Sequence, residues 1–170
     1  MNLTLGMIGL GRMGGNMSRR LARAGHTVVA WDRSAEARTA IADELQVTPA
    51  TTLEALVARL PSPRLVWLML PAGAPTDATL LRLMPLLSAG DVVIDGANAM
   101  YKDSRRHASD LGAHGILFVD AGNSGPSQLA EHFTRKAFPQ SGRYRSAGWQ
   151  VVDDVDPAYR HFAQSVGLDL

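Results

Sequence analysis

The chain has 170 residues, enough for about one domain with a real core and too few for two full domains. Its net charge of +1, with 19% charged residues, gives no electrostatic reason to expect a nucleic-acid or membrane partner. Cysteine is absent, which excludes disulfides and cysteine metal sites. The N-terminus lacks the basic region of a signal peptide, and no apolar run reaches the roughly 18 residues of a membrane span, so a cytoplasmic protein is the default prediction.

The N-terminal third alternates apolar runs with helical patterns. "LTLGMIGL" and "HTVVAWD" predict strands, and "RMGGNMSRRLARAG" between them predicts a helix that ends at Gly25. The apolar residues at helical spacing in that helix are Met13, Met17, Leu21 and Ala24. Ser34 is predicted to cap the next helix, and Thr51, three residues before Glu54, predicts a capping box for the one after it.

The pattern continues with the strands "RLVWLML", "DVVID" and "ILFVD", separated by the helices "TDATLLRLMPLL" and "KDSRRHASDLG". Pro85 is expected to kink or end the first of these helices. Apolar strands that alternate with helices predict an α/β fold, a Rossmann-like doubly wound parallel sheet, over residues 1–125. Residues 126–170 are predicted to be a divergent, irregular tail in which "DPAYRHFAQSVGL" could form a short helix.

A glycine motif follows the first predicted strand. Gly9, Gly11 and Gly14 have the spacing G-x-G-x-x-G, and Asp32 ends the second predicted strand. In a dinucleotide site the first glycine permits a tight turn, the second lets a pyrophosphate approach the backbone, and the third lets the helix pack closely on the strand. A glycine-rich turn without a ligand is the alternative.

Asp32 favours NAD, because its carboxylate would accept hydrogen bonds from the ribose hydroxyls and repel a 2′-phosphate. Arg33 leaves NADP open, since a guanidinium suits bidentate phosphate contacts.

Three longer segments carry a family resemblance: "GMIGLGRMGGNMSRRLARAGHTVVAWDRS", "VWLMLPAG" and "VVIDGANAMYKDSRRHASDLGAHGILFVDAGNSG". Together they resemble the N-terminal NAD(P)-binding domain of decarboxylating 6-phosphogluconate dehydrogenase, of its short-chain, NAD-leaning type, from about residue 3 to residue 125. The first motif is shared by the wider β-hydroxyacid dehydrogenases, including 3-hydroxyisobutyrate dehydrogenase. The patterns "DGANAMYKDSRR" and "FVDAGNSG" are more specific to the phosphogluconate enzymes.

The resemblance implies two sets of site residues. The cofactor-binding set is Gly9, Leu10, Gly11, Arg12, Met13, Gly14, Asp32, Arg33, Ser34, Leu70, Pro71, Ala72 and Asn98. Asn98 would also touch the sugar acid, and Ser124 and Gly125 would belong to the substrate-binding loop. Each has an ordinary structural alternative: Met13 could be helix core, Pro71 a strand stop, Asn98 a turn residue and Ser124 an exposed loop hydroxyl.

Two departures from the family pattern fall near these residues. Ala97 stands where the family has glycine, which an L-residue tolerates unless the position needs a positive φ. Pro126 stands where the family has the second glycine of Ser-Gly-Gly, and proline removes an N–H that an anionic substrate could use.

By resemblance, the activity is oxidative decarboxylation of 6-phosphogluconate, a small sugar acid phosphate, to ribulose 5-phosphate in the pentose phosphate pathway. The family uses a lysine and a glutamate as base and acid, in and just beyond a Lys-x-x-His-Asn segment of a later helical domain. Lys102 and Lys136 match neither, and the five histidines form no metal or triad pattern. We therefore expect no catalytic residue, no metal site and no helical domain in this chain, which would bind NAD or NADP without turnover.

Two other readings stay open: a non-catalytic dinucleotide-binding module, and a fragment of another β-hydroxyacid dehydrogenase. The oligomeric state is also open, because the family dimerises largely through its helical domain.

Overall fold

A computed structural model describes residues 2–43, 46–97 and 99–121 of the chain. The strands are β1 (Thr4–Ile8), β2 (Thr27–Trp31), β3 (Val47–Pro49), β4 (Leu65–Leu68), β5 (Val92–Asp95) and β6 (Leu117–Asp120). The helices are α1 (Arg12–Arg23), α2 (Ala35–Ile41), α3 (Leu53–Val57), α4 (Ala74–Leu83) and α5 (Tyr101–Gly112), and a 3₁₀ turn (Met84–Leu86) follows α4.

The six strands form one parallel sheet in the order β3-β2-β1-β4-β5-β6. In the register of the central strands, Gly6 lies between Val29 of β2 and Val66 of β4. This is the Rossmann-like doubly wound sheet that the alternation of strands and helices predicts. The order of the strands reverses between β1 and β4, and ligands of such sheets bind outside the carboxyl ends of the strands at that point.

Strand β3 is an addition to the predicted strands. It has three residues, pairs with β2 alone, and ends at Pro49. A proline is tolerated on an edge strand because its missing N–H can face away from the sheet. A segment this short carries no detectable periodicity.

Apolar side chains cover both faces of the sheet, as expected for parallel strands. On one face Met7 and Val28 pack with Ile41 of α2, and all three are almost fully buried. The residues that form the core of the other face include Ile8, Val29, Leu53, Leu56, Leu68, Leu83, Val93 and Leu111. Each fully buried aliphatic side chain contributes about 1.5–3 kcal/mol to folding. Residue alternation along each strand thus separates two helical layers.

Helix α1 approaches the sheet through small residues, which corrects the predicted apolar stripe. Its buried residues are Gly14, Gly15, Ser18 and Ala22. Met17 and Leu21 pack against the core only in part, whereas the side chain of Met13 is 65% exposed. The helix lies too close to β1 for large side chains to separate them, so Met13 is not part of the helix core.

The predicted end of α1 is confirmed. Gly25 has a φ of 89°, its N–H donates to the Ala22 carbonyl at 2.9 Å, and the N–H of His26 donates to the Leu21 carbonyl at 3.0 Å. This pair of bonds is a Schellman motif, which needs a left-handed residue that glycine supplies without strain. The predicted break at Pro85 is also confirmed, because α4 ends at Leu83 and a 3₁₀ turn contains the proline.

One predicted helix cap is right and one is wrong. Ser34 caps α2, its hydroxyl accepting from the Ala37 N–H at 3.2 Å. The cap of α3 is Thr52 and not Thr51, because the Thr52 hydroxyl accepts from the Ala55 N–H at 3.1 Å. With two adjacent threonines, the sequence pattern alone selects the wrong one.

The tail predicted for residues 126–170 lies outside the described residues, as do residues 122–125. The domain boundary at residue 125 and the short C-terminal helix therefore stay predictions. No helix within the described ranges is long and apolar enough to span a membrane.

Candidate functional site

A cavity of about 1190 Å³ opens at the carboxyl edge of the sheet, across the point where the strand order reverses. Of the predicted cofactor residues, those that line it are Gly9, Leu10, Gly11, Arg12, Met13, Gly14, Asp32, Arg33, Ser34, Leu70 and Pro71. Ala72 is exposed and is not among the lining residues. Asn98, Ser124 and Gly125 lie outside the described residues. Three separate loops thus converge on one cavity.

The three motif glycines occupy different environments. Gly9 has a φ of 95°, and a Cβ there would collide with the carbonyl oxygen of Met69. A Cβ on Gly14 would collide with the carbonyl oxygen of Gly9. At Gly11 a Cβ would meet nothing within 4 Å, so its surface is open to the cavity. The first and third glycines serve the turn and the packing, and the second leaves backbone accessible to a ligand, which is the division of labour that the motif predicts.

The N-terminus of α1 faces this opening. Its cap is Gly11, no side chain caps it, and no acidic residue lies in its first turn. The N–H groups of a first helical turn have no partner within the helix, and the helix dipole favours negative charge there. These features suit a pyrophosphate, which needs N–H donors and no neighbouring carboxylate.

Asp32 and its neighbours form the wall of the cavity beyond β2. The carboxylate of Asp32 accepts from the Leu10 N–H at 2.7 Å and from the Ser34 N–H at 2.8 Å. Arg38 donates to the main-chain carbonyl of Asp32 at 2.6 Å. Arg33 is exposed and lines the cavity. A hydrogen-bond acceptor, Asp32, and a cation, Arg33, therefore lie side by side at the position expected for an adenosine ribose.

Sequence reasoning missed the contribution of α4. Pro75, Ala78, Thr79 and Arg82 line the cavity at the spacing of a single helical face. Arg82 is paired loosely with Glu54 at 3.7 Å. The signal that could have identified this face is the position of α4 directly after a central strand, combined with small residues one turn apart.

The turn after β5 completes the cavity with Gly96 and Ala97. A Cβ on Gly96 would crowd the side chains of Met69 and Trp67, which would have to shift to make room for it. Among the described non-glycine residues only Gln46 has a positive φ, so Ala97 adopts an ordinary backbone conformation and its replacement of the family's glycine is tolerated.

The side chain of Asp95 holds this turn through a hydrogen bond. It is fully buried, and its Oδ1 accepts from the Ala97 N–H at 2.9 Å, whereas its Oδ2 has no hydrogen-bond partner. Burial raises the pKa of Asp95 above its usual range, and the charge of Asp120 on the neighbouring strand raises it further. The ionised form of this buried carboxyl, beside the cavity wall, is thus destabilised.

A polar cluster behind the cavity joins α4 to α5. The Nε2 of the buried His107 lies 2.6 Å from Asp77 Oδ1, and Arg106 donates to the same carboxylate at 3.0 Å. Two hydrogen bonds lower the pKa of Asp77, and the bond with His107 has a larger effect than the bond with Arg106. None of these three residues lines the cavity.

Neither His26 nor Lys102 lines the cavity. His26 is buried and its Nδ1 accepts from the Leu3 N–H at 3.2 Å, and burial lowers its pKa. Its role is therefore structural. Lys102 is exposed and does not line the cavity, and Lys136 lies outside the described residues. Over residues 2–43, 46–97 and 99–121, no group of three or more His, Cys, Asp or Glu side chains is placed to hold a metal ion.

Comparison with known families gives one extensive match. A family model described as the NAD binding domain of 6-phosphogluconate dehydrogenase matches residues 4–140. That range extends past residue 125, where the sequence pattern places the end of the resemblance.

Relatives of known sequence agree with this match. An NAD(+)-dependent, decarboxylating 6-phosphogluconate dehydrogenase of Haloferax volcanii is 46% identical over 129 residues, which are 76% of this chain and 42% of that protein. The decarboxylating enzyme of Drosophila melanogaster is 40% identical over 75% of this chain and 27% of its own length. A putative 6-phosphogluconate dehydrogenase of Bacillus subtilis is 34% identical over 97% of this chain and 52% of its own length. The chain thus spans between about a quarter and a half of these relatives.

Solved structures share the fold. A 3-hydroxyisobutyrate dehydrogenase of Mycobacterium tuberculosis superposes with a TM-score of 0.66 at 29% identity, over 74% of this chain and 42% of that one. A 6-phosphogluconate dehydrogenase of Plasmodium falciparum superposes with a TM-score of 0.67 at 24% identity, over 81% of this chain and 32% of that one.

Proposed function

Because this chain belongs to the family of the NAD-binding domain of 6-phosphogluconate dehydrogenase, we propose that its cavity at the carboxyl edge of the sheet binds a nicotinamide dinucleotide. The observation that carries the proposal is the open backbone at Gly11, next to an uncapped helix N-terminus that faces the same cavity. The pyrophosphate would lie against Gly9 to Gly14, and Met13 would lie beside the nicotinamide. A bound nicotinamide ring would supply an acceptor for a hydride from an alcohol carbon.

We propose NAD as the preferred form. The carboxylate of Asp32 lines the cavity, and a negative charge there opposes a 2′-phosphate. Arg33 supports the competing reading, since it is exposed, lines the same wall and has no side-chain partner among the described residues.

Isothermal titration with each cofactor separates these readings. We expect tighter binding of NAD than of NADP; tighter binding of NADP would contradict the preference. Arg33→Ala is then informative, because it should leave NAD affinity nearly unchanged and weaken NADP binding only if Arg33 contacts the 2′-phosphate.

We further propose that the substrate of the enzyme in which this domain acts is 6-phosphogluconate, with Asn98, Ser124 and Gly125 as contributors. The "DGANAMYKDSRR" pattern supports this substrate, as do the names of the relatives that are 34–46% identical. Oxidative decarboxylation to ribulose 5-phosphate, a place in the pentose phosphate pathway and a cytoplasmic location belong to the same proposal.

The 170 residues are not expected to turn the substrate over, because no lysine among them stands in a Lys-x-x-His-Asn segment. The purified chain should form no NADH from 6-phosphogluconate while still binding NAD. NADH formation above a no-substrate control would show that a base has been overlooked. The alternative of a 3-hydroxyisobutyrate dehydrogenase, favoured by the 29% identical structure, would be supported by NADH formation from 3-hydroxyisobutyrate and not from 6-phosphogluconate.

A further inference from the structure

The carboxylate of Asp32 is already engaged by backbone before any ligand is considered. Its Oδ2 accepts from the Leu10 N–H at 2.7 Å, and its Oδ1 accepts from the Ser34 N–H at 2.8 Å. Leu10 lies in the loop of residues 9–11 between β1 and α1, the glycine loop, whereas Ser34 is the N-cap of α2. One side chain therefore ties together two loops that line the cavity.

The bond to Leu10 lies directly after the last hydrogen bond between β1 and β2. The N–H of Gly9 donates to the main-chain carbonyl of Trp31 at 2.9 Å, and the next N–H, that of Leu10, donates to the Asp32 side chain. Gly9 has a φ of 95°, so the chain has already left the strand conformation at this point. Because the acceptor is charged, the bond is stronger than a bond between two neutral backbone groups.

The glycine loop is held by backbone bonds and by the buried Leu10 side chain, but its ligand-facing side is open. The N–H of Gly15 donates to the Gly11 carbonyl at 2.9 Å, and Leu10 packs in the core. A Cβ at Gly11 would meet nothing within 4 Å, so the protein does not pack against that side of the loop. Gly9 and Gly11 flank Leu10, and glycine loses more conformational freedom on folding than any other residue. The Leu10 N–H bond thus adds a restraint between two glycines.

We propose that Asp32 is a positioning residue that sets the shape of the glycine loop in the ligand-free protein, in addition to the contact with ribose that the family implies. The proposal rests on the proposed function for what the loop binds. A carboxylate has about four lone-pair sites, so two remain for ribose hydroxyls after both backbone N–H groups are satisfied.

This second role reverses an expectation about specificity. If Asp32 acted only by charge, replacing it would relieve repulsion with a 2′-phosphate and tighten NADP binding. If Asp32 also shapes the loop, its loss disorders the backbone that receives the pyrophosphate. NADP binding then weakens together with NAD binding.

The first test needs no ligand. Amide hydrogen exchange of Leu10 and Ser34 is followed by NMR in the wild type, in Asp32→Ala, in the milder Asp32→Asn and in Asp110→Asn, a control at an exposed carboxylate remote from the cavity. We expect both amides to exchange at least about tenfold faster in Asp32→Ala, as loss of a hydrogen bond to a charged group implies. Asp32→Asn should be intermediate, because its amide keeps one acceptor oxygen, and the control should match the wild type. Unchanged exchange of Leu10 in both Asp32 variants would overturn the proposal.

The second test measures the NADP dissociation constant of the same proteins. Weaker NADP binding by Asp32→Asn supports the positioning role, whereas tighter binding contradicts it. If the wild type bound neither dinucleotide, the proposed function would fail, yet the exchange of Leu10 would still decide whether Asp32 shapes the loop.

Discussion

Gly11 and Gly14 belong to the same motif but have opposite reasons to be glycine, and substitution separates them. Gly11→Ala introduces a methyl group into open space at an extended backbone position, so the free energy of unfolding should stay the same or rise by up to about 1 kcal/mol. The same methyl group would block the approach of a pyrophosphate, and NAD affinity should fall at least about tenfold. Thermal unfolding and calorimetry of one sample measure both quantities.

Gly14→Ala, in the first turn of α1, is the matched variant within the same motif. Its methyl group would collide with the carbonyl oxygen of Gly9, which is backbone and cannot rotate away. We expect a loss of about 1–3 kcal/mol in the free energy of unfolding, the range for overpacked sites. Equal stability of the two alanine variants would contradict the assignment of separate roles.

Asp95 supplies a prediction on pH. Burial raises its pKa in the folded chain above the usual value near 3.8, so the folded state favours the protonated carboxyl. Its contribution is least unfavourable at acid pH and becomes destabilising as the pH rises through the raised pKa. Asp95→Asn, which keeps a carbonyl oxygen for the Ala97 N–H, should therefore gain stability relative to the wild type as the pH rises from about 4 to about 8.

Unfolding curves of the wild type and Asp95→Asn across that range check the sign. Asp110→Asn, at an exposed carboxylate, serves as the control and should show no such trend. A difference that is constant with pH would mean that Asp95 is not destabilised by burial.

At the residue scale, the sequence predicts which side chains surround the cavity better than what they contact. Gly9, Gly11 and Asp32 follow from motif spacing, because the turn geometry demands those residue types. The bond from Leu10 to Asp32 could not be predicted, since it depends on the relative height of two strand ends. Helical spacing alone places Met13 in an apolar stripe, whereas the family resemblance places it at the cofactor. Met13 is exposed and lines the cavity, because small residues form the face of α1 that packs on the sheet.

At the scale of the elements, helix caps give the sharpest local test. Thr52→Ala should lower the free energy of unfolding by about 1 kcal/mol, because the hydroxyl accepts from the Ala55 N–H at the start of α3. Thr51→Ala should change it by less than about 0.5 kcal/mol, as exposed positions without such a bond do. Chemical denaturation of the two variants measures the difference, and a larger loss for Thr51→Ala would restore the capping box that the sequence suggests.

Elements with strong periodicity or clear end signals were predictable, and short ones were not. The ends of α1 and α4 follow from Gly25 and Pro85, which impose their own backbone geometry. Strand β3 escaped prediction because three residues ending in proline show no alternation. The part of α4 that lines the cavity has a sequence signal in its small residues one turn apart, but the strand order is what places that helix beside the glycine loop.

At the scale of the whole molecule, the alternation of apolar strands with helices is enough to predict the parallel sheet and its two covering layers. The position of the cavity follows from the topology, because the reversal of strand order opens a crevice between β1 and β4. Two features are not fixed by these physical rules. The proposed preference for NAD over NADP depends on the balance of Asp32 and Arg33, and the proposed substrate contacts are Asn98, Ser124 and Gly125, which lie outside the described residues.

The central claim is that the cavity at the carboxyl edge holds a dinucleotide, and an NMR titration of the chain with NAD tests it most directly. We predict saturable shifts confined to amides of the glycine loop, the turn after β2 and the cavity face of α4, with no shifts at the opposite, amino ends of the strands. The claim would be contradicted if excess NAD left the spectrum of the folded chain unchanged. It would also be contradicted if the shifts occurred only at amides outside the segment from Gly9 to Gly14.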